Sequence, residues 1–527
     1  MSPWRNPEFI RHFRAELRWS RAVAVAAVVI VVCSMLALVC WSYQQDMLAV
    51  ARRGAQEFGG RFSERLKTLE QENATLTFRF FFQWLLMFQT GVLTLWSLIS
   101  CAQAVSGERE AKTWDFQRIT RLSPAEMLVG KLLGEPILAY FAVGCSLPLA
   151  MIAGIAGGFA TQRIASAYIF MLANSLFLGL VGLCLSTLVE TRSRGLGLVG
   201  ALGLYFLIIS SFFLNQSGLP GLSVLSPLTA IRAVADQTDF SDVGRYQTFL
   251  FGNAVPWLLL SLLLQFCLAV WIVVILLRNL KRAYEQIQPL SRMQAVGCAA
   301  FLNVVVYALI RPHSYGSFRS SQDLASFMVM INGLFLLLVG MAILAPAERL
   351  RVWRRMQKST AASLFSESGL PWPWLVLGAA VIYIVMICGL LMWARVLPVD
   401  ADTVCTAGLR LLVVLVFVVR DVSFIQWCNL TRLRQPVVKG LLYLCLYYGS
   451  ALVLVYVTRY VSPSLPAQVA TVLTPIGVFD SGDKSLETSL YAGLGFQVTG
   501  MVVQFGLVVA LMQAISRRLS QAPAVSS

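Results

Sequence analysis

Twelve long apolar runs constrain this 527-residue chain more than any other feature. They cover 22–42, 80–105, 132–160, 164–189, 195–214, 251–277, 294–310, 324–345, 373–394, 403–419, 437–457 and 490–515. An α-helix rises 1.5 Å per residue, so runs of roughly this length match a hydrocarbon core ~30 Å thick. Charged residues make up only 13% of the chain, about half the usual share in a soluble domain. The runs are continuous rather than alternating, which excludes a transmembrane β-barrel. The expected fold is all-α: a polytopic transmembrane helical bundle of about twelve spans. The first run is too long for the apolar part of a signal peptide and has no small-residue cleavage site after it, so it reads as a retained span.

The net charge of +16 would suggest nucleic acid in a soluble protein. Here it reports topology, and no nucleic-acid partner is expected. With the N-terminus inside, the inner loops carry 26 Lys/Arg and the outer loops 14, with Arg410 and Lys439 left inside helix runs. That bias follows the positive-inside rule and places both termini in the cytoplasm, with membrane lipids facing much of the basic excess. The eleven cysteines are scattered without a CxxC pair, and His12 and His313 lie far apart, so neither a metal site nor a disulfide framework is indicated.

The N-terminal stretch NPEFIRHFRAELRWSR has Asn6 as an N-cap, Pro7 at the first helical position and Glu8 at the positive end of the dipole. Phe9, Phe13 and Leu17 share one face and Arg11, Arg14 and Arg18 another, the pattern of a helix lying at a membrane interface. Residues 43–79, between the first two spans, read as an external helical hairpin. Asp236, Asp239 and Asp242 read as a solvated loop.

The chain also echoes itself. GERE at 107–110 is matched by PAER at 346–349, and LSPLTAI at 225–231 by LTPIGVF at 473–479. Two six-span halves in the same orientation would form a parallel repeat. The expected organisation is an interfacial helix over 1–21, a first half over 22–278, a linker over 279–293, a second half over 294–516 and a tail over 517–527.

The segment SGEREAKTWDFQRITRLSPAEMLVGK, 106–131, concentrates charges of both signs between two apolar runs. Ser106 suits the cap of a fresh turn. A break is expected near Ile119–Leu122. Ser123, Pro124 and Glu126 then form a capping box that restarts a helix running straight into the third span. Trp114 and Phe116 supply apolar anchors among the charges, as protein contact surfaces often do.

This arrangement resembles the permease subunits of ABC-2-type transporters. The charged cluster after span two, Thr113, Ser123-Pro124 and then Gly130-Lys131 before span three are similar to that family's pattern. So are LVETRSRGLGLVGALG at 188–203, LSPLTAI before span six, and the interfacial "elbow" helix. The likeness covers residues 1 to about 280 and weakens beyond, where the loop after span eight lacks the Thr and the Pro–Gly–Lys spacing. It implies a coupling loop that docks a separate ATPase subunit, with Glu108, Arg109, Glu110, Thr113 and Pro124 as contact and hinge residues. The second-half counterparts would be Glu348, Arg349, Arg351 and Trp353. Ser226, Pro227, Thr474 and Pro475 would belong to external Ser/Thr-Pro elements. No G-x-x-x-x-G-K-[ST] phosphate loop occurs in the chain, so ATP and Mg would sit on the partner and this chain would bind no cofactor and catalyse nothing itself.

The resemblance thus implies an exporting permease in the inner membrane, driven by two cytoplasmic ATPase subunits, with its substrate unidentified. An ion-gradient transporter is the alternative. It generally needs intramembrane carboxylates, and no Asp or Glu falls near the middle of an assigned run; Glu135, near the start of the third, reads as the partner of a loop arginine. A membrane enzyme acting on lipid-linked substrates is a further alternative; it typically needs clustered Asp, Glu or His at a membrane surface, and the Asp236, Asp239 and Asp242 run has no basic or His companion in a recognisable pattern.

Overall fold

The computed structural model describes residues 6–58, 72–119, 121–188, 257–282, 290–309, 321–344, 369–393, 399–430, 436–458 and 490–521, with a few short stretches between. By packing, the chain divides into two compact units, Met1–Pro289 and Leu290–Ser527, and the boundary lies in the 279–293 stretch. Among the described residues, ten helices are long and apolar enough to cross a membrane, which makes this a multi-pass membrane protein.

The first unit begins with α1 (Pro7–Glu16) and the long α2 (Trp19–Phe58). Then come α3 (Asn73–Glu110), the short α4 (Trp114–Ile119), α5 (Pro124–Gly134), α6 (Ile137–Ala156) and α7 (Thr161–Leu188). A two-stranded hairpin, β1 (Thr248–Leu250) against β2 (Asn253–Val255), precedes α8 (Trp257–Asn279), with Phe249 opposite Ala254. This hairpin is a small exception to the expected all-helical fold, and it moves the start of that span from 251 to Trp257. The second unit holds α9 (Arg292–Leu309), α10 (Ser321–Ala342), α11 (Trp372–Trp393), α12 (Ala401–Asn429), α13 (Pro436–Thr458) and α14 (Leu490–Gln521). Helix α13 coincides with the 437–457 run, while the 195–214 run lies outside the described residues.

Three further expected boundaries move. The helical hairpin expected over 43–79 is built by the spans themselves: α2 continues to Phe58, α3 starts at Asn73, and Arg52 pairs with Glu70 at 3.1 Å. The helix starting at Ser123 does not run straight into the third span. Pro136 has no N–H to donate, and it separates α5 from α6. Helix α12 extends ten residues past the 403–419 run, so Arg420 and Asp421 belong to a helix interior and not to a loop.

Within each unit the helices pair in one order, counting 195–214 as the fifth run of the first. The second packs on the fourth (α3 on α7; α10 on α12) and the fourth on the sixth (α7 on α8; α12 on α14). The first packs on both the third and the second (α2 on α6 and α3; α9 on α11 and α10). Small residues permit the close crossings, as is usual where lipid offers no hydrophobic drive. A Cβ at Gly182 of α7 would strike the α3 backbone at Leu98 and Ala102, and one at Gly340 of α10 would strike Val422 of α12.

Candidate functional site

The charged segment after α3 folds into a compact element. Helix α3 runs unbroken through Ser106, which is buried, with its N–H and that of Val105 both donating to the Ser186 hydroxyl at 3.0 Å. The expected fresh turn at Ser106 is therefore absent. The helix ends instead at Ala111: Thr113 N–H donates to the Glu108 carbonyl at 2.9 Å, and Lys112 N–H to that of Arg109 at 3.1 Å. These two bonds make a Schellman cap, and its left-handed position is filled by Lys112 at φ 57° in place of glycine. Sequence reading missed this stop because the usual glycine signal is lacking.

Helix α4 then packs back against α3. Trp114 is buried among Met127, Leu128, Leu276 and Leu280, while Phe116 and Ile119, one turn apart, are 72% and 76% exposed. Of the two expected anchors, Trp114 points in and Phe116 points out. The capping box that opens α5 forms as expected: the Ser123 hydroxyl accepts from Glu126 N–H at 3.2 Å, and the Glu126 carboxylate accepts from Ser123 N–H at 2.7 Å.

Helix α1 docks on α5. Asn6 caps α1 as expected, accepting from Glu8 N–H at 3.0 Å, and its amide also donates to the Glu126 carbonyl at 2.6 Å. Gly130 and Gly134 form the seat: an added Cβ would come within 2.6 Å of Glu8 Cβ and 2.9 Å of His12 Cβ. The inward face of α1 thus presents Glu8, Phe9 and His12 to protein, not a purely apolar stripe to lipid.

At this junction α1, α3, α4 and α5 meet in one polar cluster. Lys131, from α5, has a side chain with no exposure; its ammonium lies 2.5 Å from Glu108 Oε2 and 3.3 Å from Glu8 Oε1. Arg11 donates to Glu108 Oε1 at 2.5 Å and Glu8 Oε1 at 2.8 Å. Gln117 of α4 donates to Glu108 Oε1 at 2.7 Å. His12 stands 3.4 Å from Glu8 and 3.7 Å from Glu135. Burial pushes the Glu8 carboxyl up, but the His12 hydrogen bond and the charges of Lys131 and Arg11 outweigh it and hold the group at about 2. Burial dominates at Glu135 and raises it. The partner of Glu135 is thus His12 of α1, where a loop arginine was expected.

The ligand atoms of Glu8, His12 and Glu108 lie within 4.8 Å of one another, a spacing that could hold a metal ion. The cluster already carries its own cations, because Lys131 and Arg11 each bridge both carboxylates. A divalent ion would be repelled by both, so the donor set does not fit a metal centre.

The proposed coupling residues divide. Glu108 is turned into the cluster, and Arg109 donates to the Thr187 carbonyl at 3.1 Å and lies over the Trp114 ring. Both hold the element together. Glu110 and Thr113 are exposed, and Pro124 is the half-buried first residue of α5. Ser226, Pro227 and Thr474 are buried, while Pro475, Glu348, Arg349, Arg351 and Trp353 lie outside the described residues.

The second unit holds a buried network that sequence reading missed. Arg420, 6% exposed, donates to Asp421 Oδ1 at 2.8 and 2.6 Å, to Gln504 at 2.5 Å and to the hydroxyls of Tyr447 and Tyr448 at 3.2 and 2.9 Å. Tyr448 donates to Asp421 Oδ2 at 2.5 Å, and Tyr447 to the Leu473 carbonyl at 2.9 Å. The network ties α12 to α13, α14 and Leu473. The first unit has a neutral counterpart between its fourth and sixth runs, where Gln265 of α8 donates to Asn174 of α7 at 3.1 Å. The signal for Arg420 was the apolar sequence continuing past it (RDVSFIQWC), which places an Arg-Asp pair inside a helix and not at its end. Against known proteins, no family model, no curated protein and no solved structure matches this chain.

Proposed function

We propose that this chain is the membrane-spanning permease of an ABC-2-like exporter, and that α4 with its flanking turns docks a separate ATPase subunit. The observation that carries the reading is the pairing of exposed Phe116 and Ile119 with the latch beneath them. Two large apolar side chains stand one turn apart on a six-residue helix, and exposed Glu110, Lys112, Asp115 and Arg121 flank them along the chain. Apolar knobs inside a charged rim are the composition of a protein contact. Gln117 of α4 donates to Glu108, and the latch of Glu108, Lys131, Glu8 and Arg11 joins that knob to α3, α5 and α1, so a push on α4 is carried into spans two and three. The repeated pairing order supports two like halves in one chain, and the Lys/Arg bias of the loops supports cytoplasmic termini; the inner membrane follows from the permease reading alone.

A gradient-driven transporter remains the second reading because Asp421 is a carboxylate inside α12. Arg420 and Tyr448 hold that carboxylate in a closed network, which argues against a free proton carrier.

The test is site-specific photo-crosslinking in cells from position 116. The proposal expects one dominant protein adduct whose sequence carries a phosphate-loop motif. Adducts with lipid alone, or with no nucleotide-binding protein, would overturn it.

A further inference from the structure

Helix α12 carries two arginines, Arg410 and Arg420, and the structure treats them oppositely. The helix is 29 residues long. At 1.5 Å per residue it spans ~44 Å, so an equal overhang from a core ~30 Å thick leaves roughly residues 406–424 in hydrocarbon. Both arginines fall in that stretch. Arg420 is neutralised by Asp421 and bonded to three further side chains. Arg410 has one neutral partner, donating to the Ser326 hydroxyl of α10 at 2.5 Å. Among the described residues no carboxylate lies within ion-pair distance of it. A guanidinium has five N–H donors in a planar fork that matches phosphate or carboxylate oxygens, and such groups inside membranes mark ligand or ion paths.

The surroundings define the rest of a ligand. Arg410 is half-buried, so part of its side chain is reachable. From Ser326, α10 carries Met330, Leu334 and Leu338 at four-residue steps, and these three are 47%, 53% and 52% exposed in the order Met330, Leu338, Leu334. Ser326 to Leu338 is twelve residues, ~18 Å of helix, about the length of an acyl chain. We propose that Arg410, held in place by the buried Ser326 hydroxyl, binds the anionic head of an amphiphile, a phosphate or carboxylate, while its apolar tail lies along Met330, Leu334 and Leu338. It rests on the permease reading only in calling this amphiphile the transported substrate.

The probe is dodecyl phosphate, titrated into the purified full-length chain in a neutral detergent, with dodecanol and inorganic phosphate as controls. Wild type is expected to bind dodecyl phosphate at least tenfold more tightly than Arg410→Gln. Arg410→Lys should fall between, keeping the charge without the fork. Leu334→Arg, which blocks the tail path at a lipid-facing position, should weaken dodecyl phosphate alone. Dodecanol should not distinguish wild type from Arg410→Gln, and inorganic phosphate should bind far more weakly than dodecyl phosphate. Equal dodecyl phosphate affinity in wild type and Arg410→Gln would overturn the site. If Arg410→Gln does not fold, an unchanged affinity in Leu334→Arg would overturn the tail path and Arg410→Lys tests the head. Inorganic phosphate binding as tightly as dodecyl phosphate would overturn the amphiphile. The binding is read without any ATPase, so failure to recover an ATPase removes the permease reading and leaves this result standing.

Discussion

Lys131 has no exposed side-chain surface and faces two carboxylates, so its charge is an obligatory part of the junction. Lys131→Met removes the buried cation from between Glu8 and Glu108 and leaves the exposed Arg11 still bridging them. Breaking a buried pair from one side costs about 3–5 kcal/mol, so with Arg11 still in place thermal melting of the purified protein should show a loss toward the lower end of that range. The combined Lys131→Met, Glu8→Gln and Glu108→Gln variant should recover part of it, because neutral groups replace all three charges. The same cluster makes a pH prediction. Glu8 is held at about 2, below its ordinary value, so its contribution is fully present above about 4.5 and is lost as pH falls toward about 2. Glu135 acts in the opposite sense: its raised carboxyl makes ionisation unfavourable, so it favours the folded state at lower pH. Acid titration of α1 protection by hydrogen exchange should therefore show α1 loosening below about pH 4, with Glu8→Gln removing most of the dependence. None of these partnerships was legible in the sequence. Glu8, Glu108 and Lys131 are separated by about a hundred residues or by a helix break, and such pairs leave no local periodicity.

Among the elements, the segments whose ends are set by local chemistry were readable in advance. Asn6-Pro7 starts α1 and Ser123-Pro124-Ala125-Glu126 starts α5, because each cap is satisfied within four residues. The α3 stop at Lys112 was not readable, since a non-glycine residue occupies the left-handed position. The role of α1 was half legible: its amphipathic pattern is real, but Glu8 and His12 pack on protein. Gly130 makes that packing possible. Gly130→Ala gains helix propensity, about 1 kcal/mol, but its Cβ would sit 2.6 Å from Glu8 Cβ, inside any normal contact. Overpacking of this kind costs about 1–3 kcal/mol, so the clash outweighs the propensity. Limited proteolysis should cut after Arg18 or Arg21 several-fold faster in Gly130→Ala than in wild type, with α3 to α7 protected in both.

For the whole molecule, the two-unit division and the common pairing order agree with the short sequence echoes, which had been the sole trace of a repeat. The units are not equivalent in chemistry. Where the first has Asn174 and Gln265, the second has Arg420, Asp421 and two tyrosines. Arg420→Leu would leave Asp421 buried without its cation and should destabilise by about 3–5 kcal/mol, whereas the double change with Asp421→Leu should cost far less. A melting series of wild type and these two variants checks this. The Arg-Asp pair was hidden because the charges that normally end a span here lie inside one. Docking through the exposed face of α4 is to be tested without touching Glu108 or Arg109, whose loss would damage the element itself. The measurement is co-purification in mild detergent of wild type and of the Phe116→Asp/Ile119→Asp double variant, whose changes are confined to exposed positions. The account predicts that a chain carrying a phosphate-loop motif accompanies wild type and is lost from the variant, with the two melting curves alike. The absence of any such chain from wild type, or its equal recovery with both, would contradict it.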